Sequence, residues 1–266
     1  MARHARRAWG RHFGRWACDD RVVSDAERSE GQRVDTAPVE SERVMVFIDG
    51  QNLFKGLQRR YRARLHPVLL ARTLAGEGRR LVGTRYYSGI HDPDENAQMF
   101  EVVRRRHDLI ERTGVRVTER TLRYHWEWRV QDRDLDPPWY DTAPDVARAR
   151  VKRHRGAREK GIDVALALDA VGALLSDECD TAIIVSRDRD LMEIADEVAE
   201  RGGVLNGRRR QVEVAFVSEE RGDERTLAGY DAFHEIDRDV VEACRDRFDY
   251  FEPLDDADVD AFLASL

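Results

Sequence analysis

Asp49, Asp163, Asp188 and Asp190 are the residues whose type and placement point most directly to chemistry. Asp49 ends the apolar run in "RVMVFIDGQN" and is followed by Gly50 and Asn52. Asp188 and Asp190 follow a second apolar run in "IIVSRDRD", and Asp163 opens an apolar stretch, "KGIDVALALD". Each has a plain structural use. Asp, Gly and Asn suit tight turns, and an acid at a helix start caps it or complements its dipole, worth roughly 0.5–2 kcal/mol. Taken together they allow more. Carboxylates that converge without a cation repel one another and hold protons, and a hard divalent cation relieves this. All-oxygen ligation selects Mg²⁺ or Mn²⁺ over zinc, and such a centre suits metal-assisted hydrolysis of a phosphodiester. Asp169 lies six residues beyond Asp163, about 240° round a helix, so those two need not share a site. Lys160, Arg187 and Arg189 stand beside the acids and suit phosphate contacts rather than metal ligation.

The acids share a site only if strands and helices bring them to one edge. Apolar runs predict strands at 44–48, 81–87, 115–120, 181–186 and 212–217, and the stretches between them predict helices at 53–63, 67–76, 94–113 and 191–201. The segment 162–175 is apolar nearly all round and predicts a buried helix. Strands alternating with helices imply right-handed crossovers and a mostly parallel sheet with helices on both faces. In such a sheet ligands bind beyond the carboxyl ends of the strands. Asp49, Asp188 and Asp190 then leave that edge, and Asp163 reaches it from a helix amino end.

The chain reads as a basic, polar leader over 1–42, one α/β domain over 43–240 with an insert at about 122–159, and an acidic tail over 241–266. A formal net charge of -7 argues against a general nucleic-acid coat but leaves room for a local basic cleft. Cys18, Cys179 and Cys244 are odd in number, far apart and without a CxxC pair, so neither a disulfide framework nor a zinc site is indicated. No apolar run approaches the ~18 residues of a membrane span. A cytoplasmic location is expected.

Three ordered blocks, "VFIDGQN", "KGIDVALALDA" and "AIIVSRDRDL", resemble the signature blocks of NYN domains, a branch of the PIN-like nuclease superfamily. The resemblance runs from about Val44 to Val217. It implies a Rossmann-like three-layer sandwich with sheet order 3-2-1-4-5, and a metal-dependent ribonuclease whose ligands match Asp49, Asp163, Asp188 and Asp190. Asn52 matches the family's Asn after the first Asp, where its amide orients substrate or water, and Asp169 matches a further recurrent acid. Two positions depart from the pattern: Arg187 stands where the family usually has a small residue, and Leu191 where an aromatic one is common. A bulky Arg beside the acids either binds phosphate or narrows the site. For that reason a non-catalytic RNA-binding module that keeps the acidic pocket is the competing reading.

Outside the blocks, "RARVKRHRGAREK" places Arg155, Arg158 and Lys160 just ahead of Asp163. If it lines the cleft it tracks a phosphate backbone; otherwise it is a solvated connection. In "YHWEW", Tyr124, Trp126 and Trp128 fall on one strand face, which either stacks unpaired bases or covers a sheet edge or a homodimer contact. The expected partner is RNA in single-stranded regions. A phosphatase using Asp49 as nucleophile needs an acid where Gln51 stands, and no nucleophile elbow or zinc spacing is present.

Overall fold

The strand Arg43–Asp49, β1, is apolar on both sides because it lies at the centre of a sheet covered on both faces. The computed structural model describes residues 41–130, 151–218 and 229–266. Most of the leader, the Pro-rich loop with Arg148 and Arg150, and Cys18 lie outside the described residues. Six parallel strands form the sheet, in the order β3-β2-β1-β6-β9-β10. These are Arg116–Thr121 (β3), Arg80–Ile90 (β2), β1, Thr181–Val185 (β6), Gln211–Val217 (β9) and Ala232–Ile236 (β10). The expected five-strand order differs in detail, since β10 adds a sixth strand beyond β9. That strand, "AFHEI", is short, alternating and at the edge, with Phe233 facing solvent, so it lacks the long apolar signature of a central strand.

Side chains alternate across β1. Val44, Val46 and Ile48 pack with helices α1 (Gly50–Arg60) and α2 (Pro67–Ala75) on one face. Met45 and Phe47 pack on the other against α4 (Ile162–Leu175) and α5 (Glu193–Glu200). The long helix α3 (Pro93–Arg112) joins β2 to β3. The chain closes with α6 (Arg238–Ala243) and α7 (Asp256–Ser265), whose Val259 packs with fully buried Tyr250 against Val102 and Leu109 of α3. Helix α4 is not buried all round as its composition predicts. Ile162, Leu166, Ala170 and Leu174 face the sheet, while Val164 and Leu168 are 63 % and 69 % exposed. No described helix is long and apolar enough to cross a membrane.

The insert forms a separate antiparallel hairpin, β4 (Arg123–Val130) with β5 (Val151–Arg158), which pairs with neither edge of the main sheet. Between β6 and β9 lie a 3₁₀ turn, Arg189–Met192, and a second small hairpin, β7 (Val204–Leu205) with β8 (Arg208–Arg209).

At the amino edge of the sheet Asp180, 4 % exposed, is held by three guanidinium groups. Arg43 and Arg210 reach its Oδ1 at 2.8 and 2.7 Å, and Arg208 reaches Oδ2 at 3.0 Å. These partners hold its carboxyl well below the usual range against the cost of burial. A depressed folded value contributes stability that is present above the unfolded value of ~3.9 and lost as the pH falls further. Removing an acid that neutralises buried Arg210 strands a charge, so Asp180→Ala is expected to cost about 3–5 kcal/mol at neutral pH. Urea melts at pH 7 check this, and a loss below ~0.5 kcal/mol contradicts it.

Candidate active site

β1 and β6 are neighbours, and the chain leaves them toward opposite faces, to α1 on one side and to α5 on the other. The crevice between such diverging connections is where open parallel sheets bind ligands. Asp49 stands on one lip as the last residue of β1, 5 % exposed. Its Oδ1 accepts the Asn52 amide at 2.9 Å and caps α1, and its Oδ2 accepts the Ser186 hydroxyl at 3.1 Å. The turn-making use and the cavity-facing carboxylate therefore belong to one side chain. Gly50 is required beside it, because a Cβ there would lie 2.5 Å from the Tyr86 hydroxyl and 2.7 Å from the Tyr87 carbonyl oxygen.

The other lip is tied to the first. The Asn52 side-chain oxygen accepts the Arg187 amide at 3.0 Å, and Ser186 Oγ accepts the Asp188 amide at 3.1 Å. Asp188 in turn accepts the Asp190 amide at 3.1 Å and starts the 3₁₀ turn. Asp163 arrives from the third direction, in the first turn of α4. Gly161 ahead of it sits at φ 81°, a left-handed conformation that favours glycine. Asp49, Asp163 and Asp188, with Gln51, Asn52, Lys55 and Glu159, line one cavity of about 110 Å³.

The acids feel one another. Burial raises the Asp49 carboxyl, Asp163 and Asp188 raise it further, and the Asn52 and Ser186 hydrogen bonds pull it down. Asp163 is raised by partial burial, then by Asp188 and Asp190. Glu159 is pushed up to about 7 by burial and by the charges of Asp49 and Asp163. Lys55 is the one cation lining the cavity among the described residues, and it lowers both Glu159 and Asp163.

Six expected site residues are placed elsewhere. Asp190 is exposed and does not line the cavity, although its charge reaches Asp163. Asp169 accepts the Tyr87 hydroxyl at 2.7 Å and pairs with Arg85 at 3.3 Å, so it fastens α4 to β2. The Arg187 guanidinium lies 5.8 Å from the centroid of the Phe216 ring, so Arg187 does not line the acidic cavity. Arg155 sits over the Tyr124 and Trp126 rings, 5.3 and 5.7 Å from their centroids, and pairs with Glu95. Arg158 and Lys160 are exposed outside the cavity. Glu159, Lys55 and Ser186 were not selected from the sequence as site residues. Glu159 stands four residues ahead of Asp163 in "EKGID", before the helix begins, and Lys55 lies one turn beyond Gln51 and Asn52 on α1.

A family model described as the NYN domain matches residues 43–220. The chain belongs to the NYN domain family. NYN domains are a branch of the PIN-like nuclease superfamily, and the three NYN blocks are the segments that meet at the cavity here. A crystal structure of a protein of unknown function from Vibrio parahaemolyticus is similar at 20% identity and a TM-score of 0.48, covering 76% of this chain and 98% of that one. No curated protein is similar enough to count as a relative.

Among the described residues no three His, Cys, Asp or Glu side chains converge closely enough to hold a metal ion as they stand. The donor chemistry of this NYN site nevertheless fits a hard divalent cation. Every candidate ligand is a carboxylate oxygen; burial is the main cause that raises Asp49 and Asp163, and the neighbouring acids add to it a repulsion that a cation would relieve.

The direction of the Glu159 shift sets a pH test. A carboxyl raised above its unfolded value of ~4.3 stabilises the fold at acid pH, and that contribution is lost as the pH rises through its folded value. Glu159→Gln keeps the uncharged form at all pH values. Its melting temperature is expected to exceed wild type near pH 8, with the gap closing toward pH 4, and calorimetry across that range reads it. A gap independent of pH overturns the assignment.

Proposed function

We propose that the chain is a divalent-metal-dependent endoribonuclease acting on single-stranded regions of RNA. The observation that carries this reading is the meeting of Asp49, Asp163 and Asp188, from two strand ends and a helix start, in one cavity at the switch point of the sheet. These three carboxylates are the residues that would hold Mg²⁺ or Mn²⁺. A divalent cation there supplies Lewis acidity toward a phosphoryl oxygen and lowers the pKa of water.

The protein's own groups do the rest. Asn52 and Ser186 lock Asp49 and the 186–188 turn together, so two of the three acids are fixed before substrate arrives. Lys55 offers a cation to a phosphate at the cavity wall. Glu159, with a carboxyl near neutrality, is suited to hold or pass a proton there. Beside the cavity, β5 leads into Glu159, and its hairpin carries Trp126 and Trp128 at 55% and 72% exposure. Exposed indoles next to Arg155 suit the stacking of unpaired bases.

One observation favours a second reading. The acids are not gathered into a three-ligand group among the described residues, which suits an RNA-binding module that keeps the pocket without turnover. Labelled single-stranded and structured RNAs, incubated with Mn²⁺, Mg²⁺ or EDTA, separate the two. Wild type is expected to cut only with metal. Asp188→Asn is expected to lose about a hundredfold or more in rate, since the cation's contribution amounts to several kcal/mol. Mn²⁺ is also expected to raise the melting temperature of wild type but not of the variant. Binding without cutting by either protein establishes the second reading, and equal cutting by both removes the assigned residues.

A further inference from the structure

A second cavity of about 340 Å³ adjoins the acidic one, and Gln51 and Glu159 line both. Its volume falls within the roughly 300–1,000 Å³ of small-ligand sites. Its character is opposite to its neighbour's. Phe54 of α1, Tyr86 of β2, Val102 and Val103 of α3, and Tyr250 and Phe251 supply its walls. Phe54 and Phe251 are left 47 % and 52 % exposed, so two phenyl rings stand partly in water on a cavity whose walls are mostly apolar.

The polar groups on these walls are mostly answered from within. Arg106 donates to the Tyr86 hydroxyl at 2.7 Å, Arg64 to the Phe248 carbonyl at 2.7 Å, and His91 Nδ1 meets the Tyr124 hydroxyl at 2.7 Å. Two atoms are exceptions. His107, 1 % exposed, uses Nδ1 on Glu119 at 2.6 Å and leaves Nε2 without a hydrogen bond. Glu159 Oε2 is also buried without one of good geometry, near the Gly89 amide. Neither atom is exposed as the cavity stands, so either side chain must turn to meet a ligand.

We propose that this cavity takes a nucleobase of the RNA strand, seating the nucleotide beside the phosphodiester that lies in the acidic cavity. The inference rests on the nuclease reading and extends it to a base subsite. A strand whose phosphate lies in the acidic cavity beside Lys55 must place the adjoining base somewhere, and the shared wall at Gln51 and Glu159 makes this cavity the next space. Aromatic and aliphatic walls match the two faces of a base, which every base possesses. Because the wall cations are occupied internally, recognition works through the flat faces and tolerates all four bases.

The test is binding in EDTA, so that it does not depend on cutting. Single-stranded oligoribonucleotides carry 2-aminopurine, or an abasic nucleotide, at successive positions. The full chain is expected to change the fluorescence of one position, and an abasic nucleotide there to weaken binding about tenfold, within the 1–3 kcal/mol typical of a stacked base. Val103→Trp, which fills the cavity from the surface of α3, and Phe54→Ala, at an exposed position, are each expected to abolish that positional effect. Val103→Trp is expected to leave the melting temperature near wild type.

Equal binding of all abasic substrates, or an unchanged positional effect in both variants, overturns the proposal. Failure to bind RNA both in EDTA and with Mn²⁺ present overturns it together with the nuclease reading. Base-dependent binding lost in Val103→Trp, in a protein that never cuts, supports the cavity and removes only the nuclease. Cutting without base dependence removes only the cavity.

Discussion

Asp49 uses both carboxylate oxygens inside the protein, one on the Asn52 amide and one on the Ser186 hydroxyl. Those two hydrogen bonds join the end of β1, the start of α1 and the end of β6. With the Asn52–Arg187 contact they form a closed loop across the switch point. A half-exposed acid would hold such a loop weakly. Asp49 holds it well because burial removes competing water and strengthens each hydrogen bond. The same burial raises its carboxyl, and the neighbouring charges of Asp163 and Asp188 raise it further.

The two edges of the sheet treat acids in opposite ways. At the amino edge Asp180 receives Arg43, Arg208 and Arg210, and its charge is secured. At the carboxyl edge Asp49, Asp163, Asp188 and Glu159 share a cavity with Lys55 as the single described lining cation. The carboxyls of Asp49, Asp163 and Glu159 rise where that of Asp180 falls. Charge complementarity at one end anchors β1 and β6, and the anchored strands can then bear uncompensated charge at the other. Such uncompensated charge is where a site for a cation is sought.

The sequence made the central elements and their acids readable because the physics there is local. A strand buried on both faces must be continuously apolar, so β1 and β6 announced themselves, and the residues ending them were the candidate ligands. What stayed hidden depended on neighbours. Asp169 shares a block with Asp163, but Tyr87 and Arg85 claim it on a different face of α4. Glu159 looked like part of a basic run, and only the turn at Gly161 brings it to Asp49 and Asp163. The composition of α4 suggested burial on every side, yet Val164 and Leu168 face outward. β10 carried too few apolar residues to be noticed without β9 beside it.

The aromatic insert is the clearest case of a pattern whose meaning depended on exposure. Tyr124, Trp126 and Trp128 alternate as any strand face does, and a covered sheet edge would have buried them. The main sheet instead has its own edges at β3 and β10, and the hairpin stands apart with two indoles largely in water. Its Tyr124 bonds to His91 at the apolar cavity, and its second strand runs into Glu159, which lines both cavities. The hairpin is therefore tied to the apolar cavity through Tyr124 and His91, and the apolar cavity to the acidic one through Gln51 and Glu159. The ribonucleotide strand proposed above, with its alternating flat bases and charged phosphates, has a chemistry that matches this succession of exposed indoles, apolar walls and acids.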